Sequence, residues 1–549
     1  MKIKQKNELR ILMVYPNLAM MLVPSIAIGL FTKILKREGY ALDLFDTTHY
    51  VSDENSSPQN RVKYLQARNF KEKEDLGVKI KTDLLGDFRK KVLEFQPDLL
   101  LMSVVEDAFL QAVKMLEVIQ DLQIPHLMGG VFPTASAQRC MDFSVIRAVG
   151  LGEGENTVVE FAEAIRLNKS LEDVSGIWFK DSQGNIHKNH QAPLVNLDMC
   201  RPDFSLFEEA RFFRPMGGRI FKTIPVETYR GCPYACSYCN SPMQKNFASK
   251  YGLGNFLRRK SMQALHSEIS ELKEIFSPEF FYFIDDSFLA RPQEEINEFC
   301  EMYSKFKLPF WFNTRPENCT LENMQQVKDA GCYRISFGIE CGNEEFRKKI
   351  LNRNVSNAYL IDKFKLIAES GISFSINLII GFPGETRALV MDTVEFVRSI
   401  YGYDTLTVSM FTPYHGTVLR DVAIKNGWLD NGSITKHTTA QSMLNMSAPY
   451  LSVDELDGLM RVLPLYCYFP KDEWKNIFPA EKNDEEGNRV LGYYGDIYKE
   501  KFLKFTQEEM KDFVVDGAAG CRVNPKDAFR ISPSRLSLNE IEMLTLKGI

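Results

Sequence analysis

The stretch Tyr229-Arg-Gly-Cys232-Pro-Tyr-Ala-Cys236-Ser-Tyr-Cys239-Asn240 sets three cysteines on one short loop, spaced C-x3-C-x2-C. It follows the apolar, β-branched run Thr223-Ile-Pro-Val-Glu-Thr228, which has the composition of a strand. Three thiolates so close together can converge on one metal cluster. Cysteine thiolates hold Fe–S clusters, and a [4Fe–4S] cube held by only three of them keeps one iron open to a small ligand. A structural zinc is the competing reading, but it wants four ligands. No fourth cysteine and no histidine lie near this loop, so zinc would need a distant ligand. A disulfide with one spare thiol is the other alternative, and it belongs to secreted chains.

Outward from that loop, strands are expected at Val226–Tyr229, Phe280–Ile284, Phe310–Phe312, Tyr333–Phe337, Ser373–Ile380 and Thr405–Phe411. Helical patterns fill the intervals at Met262–Phe276, Gln293–Lys305, Leu321–Ala330, Ala358–Glu369 and Ala388–Ser399. Alternating strands and helices build a parallel sheet, and six such units suit a partial barrel with its site at the strand carboxyl ends. Those ends carry the cysteine loop, Asp285-Asp286, Asn313-Thr-Arg315, Gly338-Ile-Glu340, Gly381-Phe-Pro-Gly-Glu385 and Pro413-Tyr-His-Gly416.

The cysteine spacing, the Arg-Gly before it and the aromatic before its last cysteine resemble the cluster loop of the radical S-adenosylmethionine (SAM) superfamily. The resemblance implies a [4Fe–4S] cluster on Cys232, Cys236 and Cys239, with SAM chelated at the open iron. It also implies SAM contacts from Tyr238, from Asp285 and Asp286 at the amino group, from Glu340, and from Asn377 and Ile379 beside the nucleoside. Tyr414 and His415 are weak candidates for a catalytic acid or base; a loop histidine is more often held by a structural hydrogen bond.

The first 170 residues alternate in the same way, with strands at Arg10–Tyr15, in the turn-and-strand stretch Gly39–Asp46, and at Pro97–Ser103, Pro125–Gly130 and Val145–Val149. They imply a doubly wound, Rossmann-like sheet, a fold that binds ligands beyond the carboxyl ends of its strands. The order of Pro24, Ser103, Gly129-Gly130-Val-Phe-Pro133-Thr134 and Gly152-Glu-Gly-Glu155 is similar to the cobalamin-binding domain fused to many radical SAM enzymes. That resemblance implies cobalamin contacts from Ser103, Val104, Glu106, Gly129, Gly130, Val131, Phe132, Pro133, Gly152, Glu153 and Gly154. The loop after the first strand, Pro16-Asn-Leu-Ala-Met-Met21, has no histidine, so no axial imidazole is expected from it. His126 is expected to pack on a strand, and Met20 and Met21 to fill core.

Four segments result: a cobalamin-binding domain over 1–170, a connector with a hairpin over 171–222, a radical SAM barrel over 223–425, and a helical cap over 426–549. In the last, Val453–Tyr468 is the clearest amphipathic helix, and Tyr494 and Tyr498 follow at helical spacing.

Hydrophobic residues make up 44% of the 549 residues and charged ones 25%, as in ordinary globular chains. The net charge of −5 carries no basic bias, so nucleic acid is not an expected partner. The longest apolar stretch near the amino terminus contains Pro24 and is too short to span a bilayer. A charged amino terminus without a signal-peptide pattern points to the cytoplasm. The expected activity is radical SAM chemistry, most simply methylation of an unactivated carbon on a small molecule. The resemblance implies an electron donor such as a flavodoxin or ferredoxin. Radical cyclisation or rearrangement with the same cofactors is the alternative, and a non-catalytic cobalamin or cluster sensor a weaker one.

Overall fold

The computed structural model describes residues 3–51, 61, 64–67, 76–216 and 219–503. Its first sheet contains β1 (Arg10–Tyr15), β2 (Ala41–Asp46), β3 (Leu99–Ser103), β4 (His126–Gly129), β5 (Ala148–Gly150), β6 (Ile177–Lys180) and β7 (Ile186–Lys188), in the order β2-β1-β3-β4-β5-β6-β7. The strands from β2 to β5 pair in parallel. Strand β3 shows why the sheet is central: Leu99 and Leu101 enter one apolar cluster, while Leu100 and Met102 enter another on the opposite face. A strand buried on both faces reads as a continuous apolar run, as Leu99-Leu-Leu-Met does.

The hairpin β6–β7 corrects the expected division at residue 170. It extends this sheet in antiparallel fashion, with Ala148 opposite Phe179 and Trp178 opposite Lys188. Its period-2 pattern describes a hairpin without stating what it pairs with, so the first domain reaches at least to Lys188.

The second sheet contains β8 (Phe213–Met216) and β9 (Arg219–Val226). After a short antiparallel ribbon of β10 (Tyr229–Arg230) with β11 (Arg258–Arg259) come β12 (Phe280–Phe283), β13 (Phe310–Thr314), β14 (Cys332–Glu340), β15 (Ser373–Ile380) and β16 (Thr405–Met410). The order is β16-β15-β14-β13-β12-β9-β8, with six parallel strands and β8 antiparallel at the edge. All six expected β-α units are present, but β9 starts before Thr223 and ends at Val226. The Glu227–Tyr229 segment leaves the sheet to start the cysteine loop.

Alternation along these strands sorts the side chains. Phe281, Phe283, Phe310, Phe312, Ile335, Phe337, Phe374, Ile376, Leu406 and Val408 belong to the main core. Met216, Phe221, Phe280 and Trp311, with Tyr282 and Tyr333, form a separate aromatic cluster on the inner face.

The helix Val453–Tyr468 is present as expected, opened by a Ser452–Glu455 capping box. It packs on the helix Arg387–Arg398 and on β16, in the position of an outer helix of the sixth unit. Tyr494 and Tyr498 lie buried on the helix Glu485–Lys501. The remainder of the proposed cap, 504–549, lies outside the described residues.

Candidate active site

The cysteine loop hangs from the end of β9 by a buried carboxylate. Asp285 accepts hydrogen bonds from the Thr228 and Tyr229 amides at 2.8 and 3.0 Å and from the Thr228 hydroxyl. It also pairs with Arg291 at 2.6 Å. Both of its oxygens are therefore occupied, and Asp285 acts as the loop's anchor instead of the expected contact to an ammonium group. Asp286, next in sequence, is exposed and accepts only from Ser241 Oγ at 2.7 Å among the described residues.

The three cysteines are partly accessible and form no disulfide. Burial pushes the Cys232 thiol up to about 11 and the Cys239 thiol up to about 12. Thiols held protonated in this way require a cation to become ligands, which iron supplies. The helix Ser241–Lys250 starts directly behind them, and the Ser241 amide points at Cys239 Sγ at 3.4 Å. Arg315 lies 3.9 Å from Cys236 Sγ. No three His, Cys, Asp or Glu side chains among the described residues close around a single ion, whereas a multi-iron cluster takes each thiolate on a separate iron. This donor set suits a cluster better than a zinc ion.

A charged relay runs from the loop across the strand ends. Arg315 stacks on Tyr234 at 3.7 Å and pairs with Glu317. Arg353 lies 3.7 Å from Glu317 and 3.5 Å from Glu340, and donates to the Gly338 carbonyl at 2.9 Å. Glu340 is bonded to Tyr238, and burial raises its pKa against the pull of Arg353. Its backbone has φ 68°, at a register shift between β14 and β15. A non-glycine residue rarely adopts that conformation, and such strain collects at functional sites. Asn377 and Ile379 stand on the inner face of β15, partly accessible, with Asn377 beside Gly338 and Thr407. Tyr238, Asp286, Glu340, Asn377 and Ile379 thus share one end of the barrel. The relay partners Arg315, Glu317 and Arg353 were missed as site residues; Arg315 stands in the quoted Asn313-Thr-Arg315 strand end, but nothing in its spacing gives it a role.

At the carboxyl edge of the first sheet, Ser103, Gly129, Gly130 and Val131 are partly accessible and Gly152 is exposed, while Val104, Phe132 and Pro133 are buried. Gly130 has φ 127°, and a Cβ there would lie 2.3 Å from the Val104 carbonyl oxygen. Only glycine fits. Gly129 differs, since its Cβ would meet only the Gly150 oxygen at 3.8 Å. Its bare face is a cradle that the fold itself does not require, as close approach of a flat ligand would. His126 is buried with both ring nitrogens engaged, at Ile124 O and the Arg147 amide. Burial lowers its pKa to about 4, and it serves the strand as expected.

Glu106, Glu153 and Gly154 depart from the expected cobalamin contacts. Glu106 is buried and reaches into the barrel domain: Oε2 accepts from the His415 amide at 2.9 Å, and Oε1 meets His415 Nδ1 at 2.6 Å and the Thr435 amide at 3.0 Å. His415 also sits edge-on to Phe132 at 5.1 Å. Glu153 pairs with Arg258 and Arg230, and Glu155 with Arg230 at 2.9 Å. Gly154 makes room for Phe31, since a Cβ would lie 2.8 Å from its ring. Sequence could not assign these carboxylates, because their partners lie in another domain. Tyr414 is partly accessible, next to His415 on the loop that follows β16.

This arrangement agrees with the comparisons. Residues 226–397 match the model of the Radical SAM superfamily. An uncharacterized methyltransferase of Pyrococcus horikoshii is 26% identical over 403 residues, 72% of this chain and 83% of the relative. The cytidylyl-2-hydroxyethylphosphonate methyltransferase of Streptomyces wedmorensis is 22% identical over 66% of this chain and 73% of its own length. The solved structure of the cobalamin-dependent S-adenosylmethionine radical enzyme OxsB, with aqua-cobalamin and S-adenosylmethionine bound, shares the fold. Its TM-score is 0.59 at 15% identity, covering 92% of this chain and 75% of that one. Residues 226–397, which carry the cysteine loop, are similar to the Radical SAM superfamily, and a Rossmann-like sheet stands ahead of that barrel. The chain is thus similar to relatives named as methyltransferases and shares its fold with a cobalamin-dependent radical enzyme.

Proposed function

We propose that this protein methylates an unactivated carbon of a small-molecule substrate, using a [4Fe–4S] cluster, SAM and cobalamin. The observation that carries this reading is the facing of two ligand edges, joined directly by Glu106 and His415. When bound, the cluster and SAM supply a carbon radical and cobalamin supplies a methyl group; that chemistry belongs to the cofactors. The chain's own residues hold and aim them. Cys232, Cys236 and Cys239 are the cluster ligands. Asp286 accepts an ammonium, Tyr238 and Glu340 border it, and Asn377 and Ile379 flank the nucleoside. Ser103, Gly129, Gly130, Val131 and Gly152 provide the flat cobalamin face, and Phe132 supports it from below. His415 is a positioning residue, because its Nδ1 and amide are committed to Glu106. An electron donor of the flavodoxin or ferredoxin kind and a cytoplasmic location complete the reading.

Two of the relatives already described are named as methyltransferases, which favours methyl transfer over rearrangement. The test is a turnover with methyl-deuterated SAM, cobalamin and strong reductant. Methylation gives labelled product together with 5′-deoxyadenosine and S-adenosylhomocysteine. Product and deoxyadenosine without label or S-adenosylhomocysteine would instead show cyclisation or rearrangement.

A further inference from the structure

Strand β8 brings one arginine onto the inner face of the barrel, far in sequence from every strand-end motif. Arg214 lies opposite Phe221 on β9, on the same side of its strand as Met216, a member of the inner aromatic cluster. Its guanidinium stands 5.0 Å from the ring of Tyr282 and 4.6 Å from that of Trp311. These two rings are themselves stacked at 4.0 Å and 13°. The neighbouring polar groups are already engaged with one another. Asn313 donates to the Tyr282 hydroxyl at 2.8 Å, the Trp311 indole to Ser336 Oγ at 2.9 Å, and Ser375 to Ser336 at 2.8 Å.

Arg214 itself is left over. Its Nη1 is buried without a hydrogen-bond partner among the described residues. It has no ion pair among the described residues, and desolvation lowers its pKa. Arg219, opposite Met216 on β9, likewise has a buried Nη1 without a partner among the described residues, but three other interior arginines are treated differently. Arg353 sits between Glu317 and Glu340, Arg334 is paired with Asp404, and Arg291 with Asp285. Stacking on aromatic faces offsets part of the cost of burying a guanidinium, but it leaves the N–H donors unused. A planar, always-charged fork with unused donors is suited to two-point recognition of an oxyanion.

We infer that Arg214, walled by Tyr282 and Trp311, is a binding site inside the barrel for an oxyanion, carboxylate or phosphate, carried by the substrate. This rests on the SAM-dependent reading above and adds to it the charge of the substrate. The carboxylate of SAM is the other possible source of the same chemistry, and the experiment separates the two.

Anaerobically reconstituted holoenzyme saturated with SAM is titrated with inorganic phosphate and, separately, with acetate, at an ionic strength fixed with chloride. The thermal midpoint and the SAM affinity are read in the same samples. The expected result is a saturable rise in midpoint with at least one of the two anions. In Arg214→Gln the apparent anion affinity should fall about tenfold or more, with SAM affinity within about twofold of wild type. An equal response in Arg214→Gln, or no saturable response in the wild type, overturns the inference. Loss of SAM affinity in that variant reassigns Arg214 to SAM and also overturns it. Should the Gln variant fail to accumulate, Arg214→Lys keeps the charge but loses the planar fork; a weakened anion response supports the site and an unchanged one refutes it. SAM binding by the wild type, measured independently, shows whether the SAM-dependent reading itself has failed.

Discussion

At the scale of single residues, the sharpest consequences come from groups whose partners are incomplete or fixed. Glu385 is 1% exposed. Its Oε2 accepts from the Gly381 and Phe382 amides at 2.6 and 3.2 Å, while Oε1 has no partner among the described residues. Burial raises its pKa from 4.5 to about 8. Between those values the unfolded chain releases a proton that the folded chain keeps, so this residue makes stability fall as pH rises through that window. Glu385→Gln keeps an oxygen for the two amides and cannot ionise. Urea denaturation between about pH 5 and pH 8 should show a smaller decline in stability for the variant than for wild type. Parallel declines would mean that the carboxyl is ionised in the folded protein. The cysteines give a second residue-scale prediction. Replacing Cys232, Cys236 and Cys239 together by alanine should abolish the charge-transfer absorbance of reconstituted protein and its SAM cleavage. Changing the buried Cys341 or Cys467 should leave both intact. Iron and sulfide retained by the triple variant would contradict the ligand assignment.

At the scale of elements, the sequence disclosed what depends on local periodicity and missed what depends on distant partners. Five of the six parallel barrel strands, the five parallel strands of the first sheet and the helix Val453–Tyr468 were legible, because alternation and apolar runs are local signals, whereas the first barrel strand, expected at Val226–Tyr229, is Arg219–Val226. The hairpin β6–β7 was legible as a hairpin and not as the edge of the first sheet, since its partner β5 is a three-residue strand. Asp285 and Asp286 look alike in sequence; the fold separates them, giving one to the loop amides and leaving the other exposed. The glycine pair Gly129-Gly130 divides in the same way. Gly130→Ala places a Cβ against the Val104 backbone at a φ that alanine avoids, and should cost about 2 kcal/mol or more in unfolding experiments on the apoprotein. Gly129→Ala meets no such clash and should leave apoprotein stability nearly unchanged while weakening cobalamin binding. An equal loss of stability in both variants would remove the distinction between turn and cradle.

At the scale of the whole molecule, the question is what keeps the two sheets in register. Two charged joints do this on present geometry. Glu106 receives the His415 amide and ring and the Thr435 amide, and Arg139 donates to the Gly432 carbonyl from the same side. Arg230, two residues before the first cysteine, is held by Glu153, Glu155 and Glu227. The Arg-Gly of the cysteine motif thus ties the loop to the first domain, while Gly231 has φ 98° and leaves room for Phe256. Buried carboxylates that lose their partners are strongly destabilising, whereas the surface pairs of this chain contribute little. The joints should therefore make the two sheets unfold together. Calorimetry of the apoprotein is expected to show one transition for wild type. One apolar cluster takes in residues of both sheets, Ile11 and Leu99 with Phe281 and Phe310, yet the charged joints are expected to carry the coupling, and the double variant Glu106→Ala, Glu153→Ala should separate the transition into two. His415→Ala alone, which removes the ring and leaves the amide bond to Glu106, should lower the midpoint without splitting the transition. A double variant that still melts in one step would place the coupling in the apolar contacts between the sheets, and the aim of one cofactor edge at the other would then not depend on these carboxylates.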